Sequence, residues 1–248
     1  MRKHLFWVLG LALVVGVTGI AVAGGGQTHT IKAKVLPARQ DDNRFGRASL
    51  NFTTASDCQG QGCTLNAANR VRVWFDDDIK ITTRGLARCD PATLANTTTA
   101  QARQRCASSR VGQGSTIAYI AGRSDAAVTG ENTVFNGPPR GGRPTLVVHN
   151  RIDRLSSTVV LVGVFKRATG DFGVVLDVNV PPLTANTALA SFQTLVSKSF
   201  RFRGQRKHYV TARCGDNNRK WNFRGRDDYG GSQPSLTANV QQSCTVRR

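Results

Sequence analysis

The sequence predicts an all-β fold: a single disulfide-stapled β-sandwich, with a jelly roll as one topology, carrying one short helical insertion. Three observations lead there. Val, Thr, Gly and Asn are plentiful while strong helix formers are scarce, down to a single glutamate, Glu131. Apolar and polar residues alternate in short runs broken by turn residues. Six cysteines, an even number, all follow an export-type leader. The chain has 248 residues, 40% of them hydrophobic, enough for one large β domain and too apolar for general disorder.

The leader comes first. Arg2, Lys3 and His4 precede an apolar run from Leu5 to Val22, which ends in Ala21-Val22-Ala23 and three glycines. A basic start, an apolar stretch and a small-x-small end make a secretory signal peptide. An uncleaved anchor is the competing reading; Gly10, Gly16 and Gly19 weaken it. The sequence thus divides into a signal peptide, residues 1–23, and one domain, residues 24–248, with no later transmembrane span and a secreted or envelope-associated destination.

Along that domain, Thr28–Leu36 and Arg47–Thr54 read as strands around a polar turn at Asp41-Asp42-Asn43. In Arg70–Phe75 the residues Val71, Val73 and Phe75 share one face, and Arg70, Arg72 and Trp74 the other, the period of a half-buried strand. Ile79–Thr82 follows the turn Asp76-Asp77-Asp78. The segment Cys89–Cys106 is the one helical stretch, because Asp90-Pro91 is an N-cap followed by proline at the first helical position. Strands then succeed one another at Ser115–Ala121, Thr133–Asn136, Thr145–His149, Thr158–Arg167, Gly173–Val180, Ala188–Phe200, His208–Cys214, Lys220–Arg224 and Ser235–Val246.

Cys58, Cys63, Cys89, Cys106, Cys214 and Cys244 allow 15 disulfide pairings in principle. Nearness in sequence suggests Cys58–Cys63, Cys89–Cys106 and Cys214–Cys244. The last would close a loop of about 31 residues, for which chain entropy gives roughly 3–4 kcal/mol. A zinc site is disfavoured, since paired C-x-x-C knuckles and neighbouring histidines are missing, and no other metal or cofactor is expected.

Chemistry-bearing motifs are weak. Asp76-Asp77-Asp78 is the densest acidic feature, but neighbouring side chains of a strand alternate and the spacing is not that of an EF-hand, so it reads as a solvated turn. A glycosidase would pair Glu131 with an aspartate, which fifteen acidic residues permit by chance. Gly122-Arg123-Ser124-Asp125-Ala126 misses the G-x-S-x-G elbow at its last position, leaving Ser124 with His149 or His208 unsupported as a triad. His149 and His208 read as strand-end residues. Phosphate-binding and dinucleotide loops are missing.

Charge is the strongest functional signal. The formal net charge is +19, or +17 without Arg2 and Lys3, a field that attracts polyanions. It is densest from Lys198 to Arg226, where basic residues interleave with Phe200, Phe202, Tyr209, Trp221 and Phe223. Arg201, Arg203, Arg206, Lys207 and Arg224 are the candidate ligand-binding residues, with guanidinium forks suited to phosphate or carboxylate. The plainer alternative is core phenylalanines beside solvated arginines. Export argues against nucleic acid, and Gln205 breaks the RNA-recognition signature after Gly204.

Taken in order, GLARCDPATL, QRC and VGQG between Gly85 and Gly114, VFNG at Val134–Gly137, LVGVF and GDFGVVLDVNVPPL, YVTARC at Tyr209–Cys214 and the last cysteine, Cys244, resemble a group of secreted proteins of high-GC soil actinobacteria with no established activity. The resemblance spans nearly the whole mature chain. It implies one β-rich domain and the pairings Cys89–Cys106 and Cys214–Cys244, and it carries over no functional residue. The sequence therefore favours a non-enzymatic extracellular or envelope-associated binding protein for an anionic polymer or glycan, with a secreted glycan or ester hydrolase and a structural surface protein as the rivals.

Overall fold

The computed structural model describes residues 19–22, 26–58, 60, 63–183, 187–215 and 219–247. Of the leader, only Gly19–Val22 (β1) falls among them. It runs as a strand against Thr28–Ile31 of β2 (Gln27–Leu36). The rest of the expected signal peptide lies outside the described residues.

The chain is mostly strand, as its composition predicts. After β2 come β3 (Arg39–Gln40), β4 (Gly46–Cys58), β5 (Ala68–Asp76) and β6 (Ile79–Ile81). A disulfide-clipped excursion follows, containing a short 3-10 turn at Pro91–Leu94 and one helix, α1 (Thr99–Arg105). Asp90 caps the turn by accepting from the Ala92 amide. Thr98 and Gln101 form a reciprocal capping box at α1. The chain then lays down β7 (Arg110–Tyr119), β8 (Ala127–Asn136), β9 (Thr145–Ile152), β10 (Ser157–Arg167), β11 (Phe172–Asn179) and β12 (Ala188–Val196). The hairpin β13 (Ser199–Phe202) and β14 (Gln205–His208) leads into β15 (Val210–Ala212), β16 (Lys220–Tyr229), β17 (Leu236–Ser243) and β18 (Thr245–Val246).

Twelve of these strands form one antiparallel path, β1-β2-β4-β12-β7-β8-β9-β10-β11-β5-β16-β17. The two layers of the sandwich are therefore one continuous sheet folded on itself through β8 and β9. Its far edge, β17, returns beside β2. There the side chain of Gln242 accepts from the Val35 amide at 2.6 Å and donates to the Val35 carbonyl at 3.1 Å. A side-chain amide thus closes the seam in place of a strand ladder.

Next to the seam the layers meet tightly. Ile31, Ala33 and Val35 pack with Trp221, Phe223, Ala238 and Val240, and Phe75 makes edge-on contacts with both Phe52 and Phe223. Gly225 is required there, because a Cβ would stand 2.5 Å from Ile31 Cγ2. The alternation read in Arg70–Phe75 holds: Val71, Val73 and Phe75 point inward and Trp74 outward.

The three disulfides are the three nearest-neighbour pairs, Cys58–Cys63, Cys89–Cys106 and Cys214–Cys244. The second clips the helical excursion onto the outer face of β8, β9 and β10, where Leu94, Ala102 and the two cysteines cover Phe135, Val147, Val160 and Val162. His149 belongs to this contact. It is fully buried, bonds Thr97 through both Oγ1 and the carbonyl at 3.0 Å, and is held below its usual pKa by burial. It is a structural residue inside β9, not a strand-end group.

The acidic turn also differs from its sequence reading. Asp76 and Asp78 are buried. Asp76 accepts from the Asn222 backbone amide at 2.8 Å, its side chain at 3.1 Å and the Asp78 amide at 3.0 Å; Asp78 accepts from Arg213 and from the Gly215 amide at 2.8 Å. The triplet ties the end of β5 to the start of β16 and to the segment that precedes it. Burial nevertheless pushes the Asp76 carboxyl up to about 6. Although the three carboxylates lie within 4.8 Å of one another, the lone pairs of two are committed inside the protein. No helix among the described residues is long and apolar enough to cross a membrane.

Candidate functional site: an apolar chamber

Away from the seam the layers separate and leave a cavity of about 150 Å³. Alternate residues of the facing strands line it. β4 contributes Leu50 and Phe52, β5 Val71 and Val73, β10 Val159 and Leu161, β11 Leu176 and Val178, and β12 Phe192 and Val196. At one end the lining residues Phe165, Leu146, Val134 and Tyr209 are buried, and Ile81 of β6 with Tyr209, just before β15, forms a floor. At the other end, taken as the mouth, stand Leu155, Ser157, Val180, Leu183 and Leu189, all partly exposed, as are Ile81 and several wall residues.

Among the described residues the lining is nearly all hydrocarbon and contains no carboxylate, histidine, lysine or arginine. Its polar edge is the network in which Asn150 Nδ2 donates to Thr116 Oγ1 at 2.7 Å and to Asn132 Oδ1 at 2.6 Å, so those groups are satisfied. Tyr209 is the exception. It is completely buried, its hydroxyl has no hydrogen-bond partner, and burial alone pushes its pKa far up. An unsatisfied hydroxyl in such a setting costs about 1–3 kcal/mol.

The sequence-predicted basic residues lie elsewhere. Arg201 and Arg206 face each other across the β13–β14 hairpin, and Phe200 pairs with Lys207. Arg203 and Gly204 form its turn with φ of 52° and 75°, the positive-φ pair of a two-residue hairpin. Phe200 packs on the core and Phe202 under Gly85, while Arg201, Arg203 and Arg206 are exposed, as the alternation predicts. None of these three has an acidic partner within 4.0 Å among the described residues. The hairpin leaves from the floor end of the chamber, beside Tyr209.

Arg224 sits on the outer face of β16. It bonds Asn239 Oδ1 at 2.9 Å and lies over Phe172 at 4.9 Å and Trp74 at 6.0 Å. Trp74 takes Arg72 on the same terms at 5.5 Å. This face belongs to an ion-pair ladder in which Asp177 holds Arg70 and Lys166, and Asp228 holds Arg72 and Arg226. Of the residues proposed from sequence, Arg201, Arg203, Arg206 and Lys207 share one hairpin and Arg224 has a separate setting. The six cysteines are all structural.

No protein-family model, no curated protein and no solved structure matches the chain.

Proposed function

We propose that the protein is exported and acts as a non-enzymatic binding protein that holds an apolar molecule inside its β chamber. The cavity carries this reading. At about 24 cal/mol per Å³, a void of about 150 Å³ costs roughly 4 kcal/mol against a filled core. That is a large share of the 5–15 kcal/mol that typically stabilises a domain. Apolar cavities of roughly this size stay dry and accept guests such as benzene. A lining that, among the described residues, has no ionisable side chain other than Tyr209 favours binding over hydrolysis, because acid–base chemistry needs positioned proton donors and acceptors. The three disulfides are in keeping with an oxidising, extracytoplasmic setting. The test is titration of the purified mature protein with an apolar fluorescent dye. Saturable binding at one site, displaced by octanol, supports the reading; failure of any apolar compound to bind overturns it.

A second reading concerns the hairpin. Its three exposed guanidinium groups without acidic partners suit the phosphates or carboxylates of an anionic envelope polymer or glycan. Binding to isolated envelopes that survives physiological salt but is lost when Arg201, Arg203 and Arg206 become glutamine supports it. Loss of parent binding at physiological salt reduces the patch to unspecific charge attraction.

A further inference from the structure

A second, smaller space of about 20 Å³ lies at the mouth of the chamber, between β4 and β16. It shares Thr54, Val71, Val180, Leu183 and Leu189 with the chamber wall. The rest of its lining mixes four alanines, Ala55, Ala67, Ala68 and Ala190, with the polar Ser56, Asn66, Asp227 and Tyr229.

These groups are incompletely satisfied. Ser56 Oγ donates to Asp227 Oδ2 at 3.3 Å, and His29 Nδ1 lies 3.1 Å from the same oxygen and 3.4 Å from Ser56 Oγ. With Ser56 and Asp227 both on Nδ1, this is not a Ser–His–Asp relay, which needs them on opposite ring nitrogens. Asp227 Oδ1 has no partner although the residue is 5% exposed, and His29 Nε2 has none either, while the Tyr229 hydroxyl lies beside Ser56 and Gln27. Burial and then the Asp227 charge push the Tyr229 phenol up to about 12 against the opposing hydrogen bonds with Ser56 and Gln27, so it stays a neutral hydroxyl whose oxygen can accept. A buried carboxylate oxygen without a donor is expensive, and here it opens beside an apolar space.

We infer that this niche receives the head group of an amphiphile whose aliphatic chain fills the chamber. The inference rests on the chamber being a binding site. The head is a small hydrogen-bond donor, an amine or a hydroxyl. About 20 Å³ holds roughly one water-sized group, which excludes a phosphate ester or a sugar. Asp227 supplies a free acceptor and disfavours a carboxylate. Tyr209, at the far end, lies beyond the chain.

The experiment is calorimetric titration of the whole mature protein with octylamine, octanol, octanoate and octane. The expected order places octylamine and octanol about tenfold or more tighter than octanoate and octane, the increment of one hydrogen bond to a charged acceptor. Tyr229→Phe and Asp227→Asn should each shrink that gap while leaving octane binding unchanged. Tyr229→Phe serves where the Asp227 variant fails to fold. Equal binding of all four compounds overturns the niche, leaving it a water site and the chamber intact. Tighter octanoate also overturns it. No binding of any of the four overturns the chamber reading itself.

Discussion

Gln242 of the last long strand holds both the amide and the carbonyl of Val35 in the first, across 207 residues of sequence. Both residues are buried, Val35 completely and Gln242 to 3% exposure, so no solvent competes for these two bonds. Replacing Gln242 with leucine strands a buried N–H and a buried C=O. Each costs about 1–3 kcal/mol, and urea unfolding should show a loss of roughly 2–4 kcal/mol. Gln241→Leu, one residue earlier on the exposed face, should change stability by about 0.5 kcal/mol or less. Equal effects would show that the seam is not closed by this side chain.

Filling the chamber should separate binding from folding. Val159 and Leu161 stand in its wall. Val159→Phe projects about three methylenes' worth of volume into empty space, with a stability change within about 1.5 kcal/mol in either direction. Binding of an apolar dye should fall about tenfold or more, with an unchanged far-ultraviolet circular dichroism spectrum. A Val159→Phe protein that binds dye as the parent does would place the dye elsewhere.

Asp177 predicts the acid limb of the stability curve. Hydrogen bonds from Arg70 at 2.7 and 2.6 Å, and then from Lys166, pull its carboxyl down to about 2. A folded pKa below the unfolded one, 3.8, stabilises the protein above that unfolded value, and the contribution disappears as pH falls towards about 2. At 1.36 kcal/mol per unit this is about 2 kcal/mol, reduced to about 1 kcal/mol by solvent screening of the half-exposed Arg70 and Lys166. Asp177→Asn should lose that amount at neutral pH and flatten the stability curve between about pH 4 and pH 2. An unchanged acid limb would remove Asp177 as its cause.

Asp76 acts in the opposite direction. Its folded pKa, about 6, lies above 3.8, so its contribution is most favourable below the unfolded value and declines as pH rises through about 6. Stability measured from pH 4 to pH 7 should therefore carry a falling component, and Asp177→Asn should leave that component in place.

Reduction should strip the outer cover before it touches the chamber. Replacing Cys89 and Cys106 with alanine releases a clip across 17 positions of sequence, worth roughly 3 kcal/mol in the chain-entropy picture. Hydrogen exchange should quicken in residues 89–109 and in the Val160 and Val162 amides beneath them, with dye binding retained. Loss of dye binding would make the cover part of the site.

Much of the sheet was legible in the residues. The alternation from Arg70 to Phe75, the capping at Asp90 and the nearest-neighbour cysteine pairs are local signals, and the structure keeps them. What was not legible depends on distance between layers. Val159 and Leu161 look like ordinary core residues in sequence; only the spacing of β10 from β4 and β12 makes them walls of a space. Asp76-Asp77-Asp78 looked solvated because its donors, Asn222, Gly215 and Arg213, lie more than a hundred residues away. The stretch Ala188–Phe200 is two strands, β12 and β13, because the chain past Val196 makes one last bond to β7, from the Ser197 amide to the Val111 carbonyl, and then pairs with β14 instead. Ser56, His29 and Asp227 come from three strands, and no spacing rule relates them.

The Gln242–Val35 seam also fixes an order of events. A chain made from its N-terminus holds every wall of the chamber before residues 236–243 exist, yet cannot shut the sheet until they arrive. Until then the edge of β2 beyond β1 and the outer edge of β16 stand open to any other strand. The time between completing the walls and adding the last strand is when a guest could enter sideways instead of through the mouth. A chain that stops short of Leu236 is left as an open apolar sheet, a substrate for aggregation and not for storage.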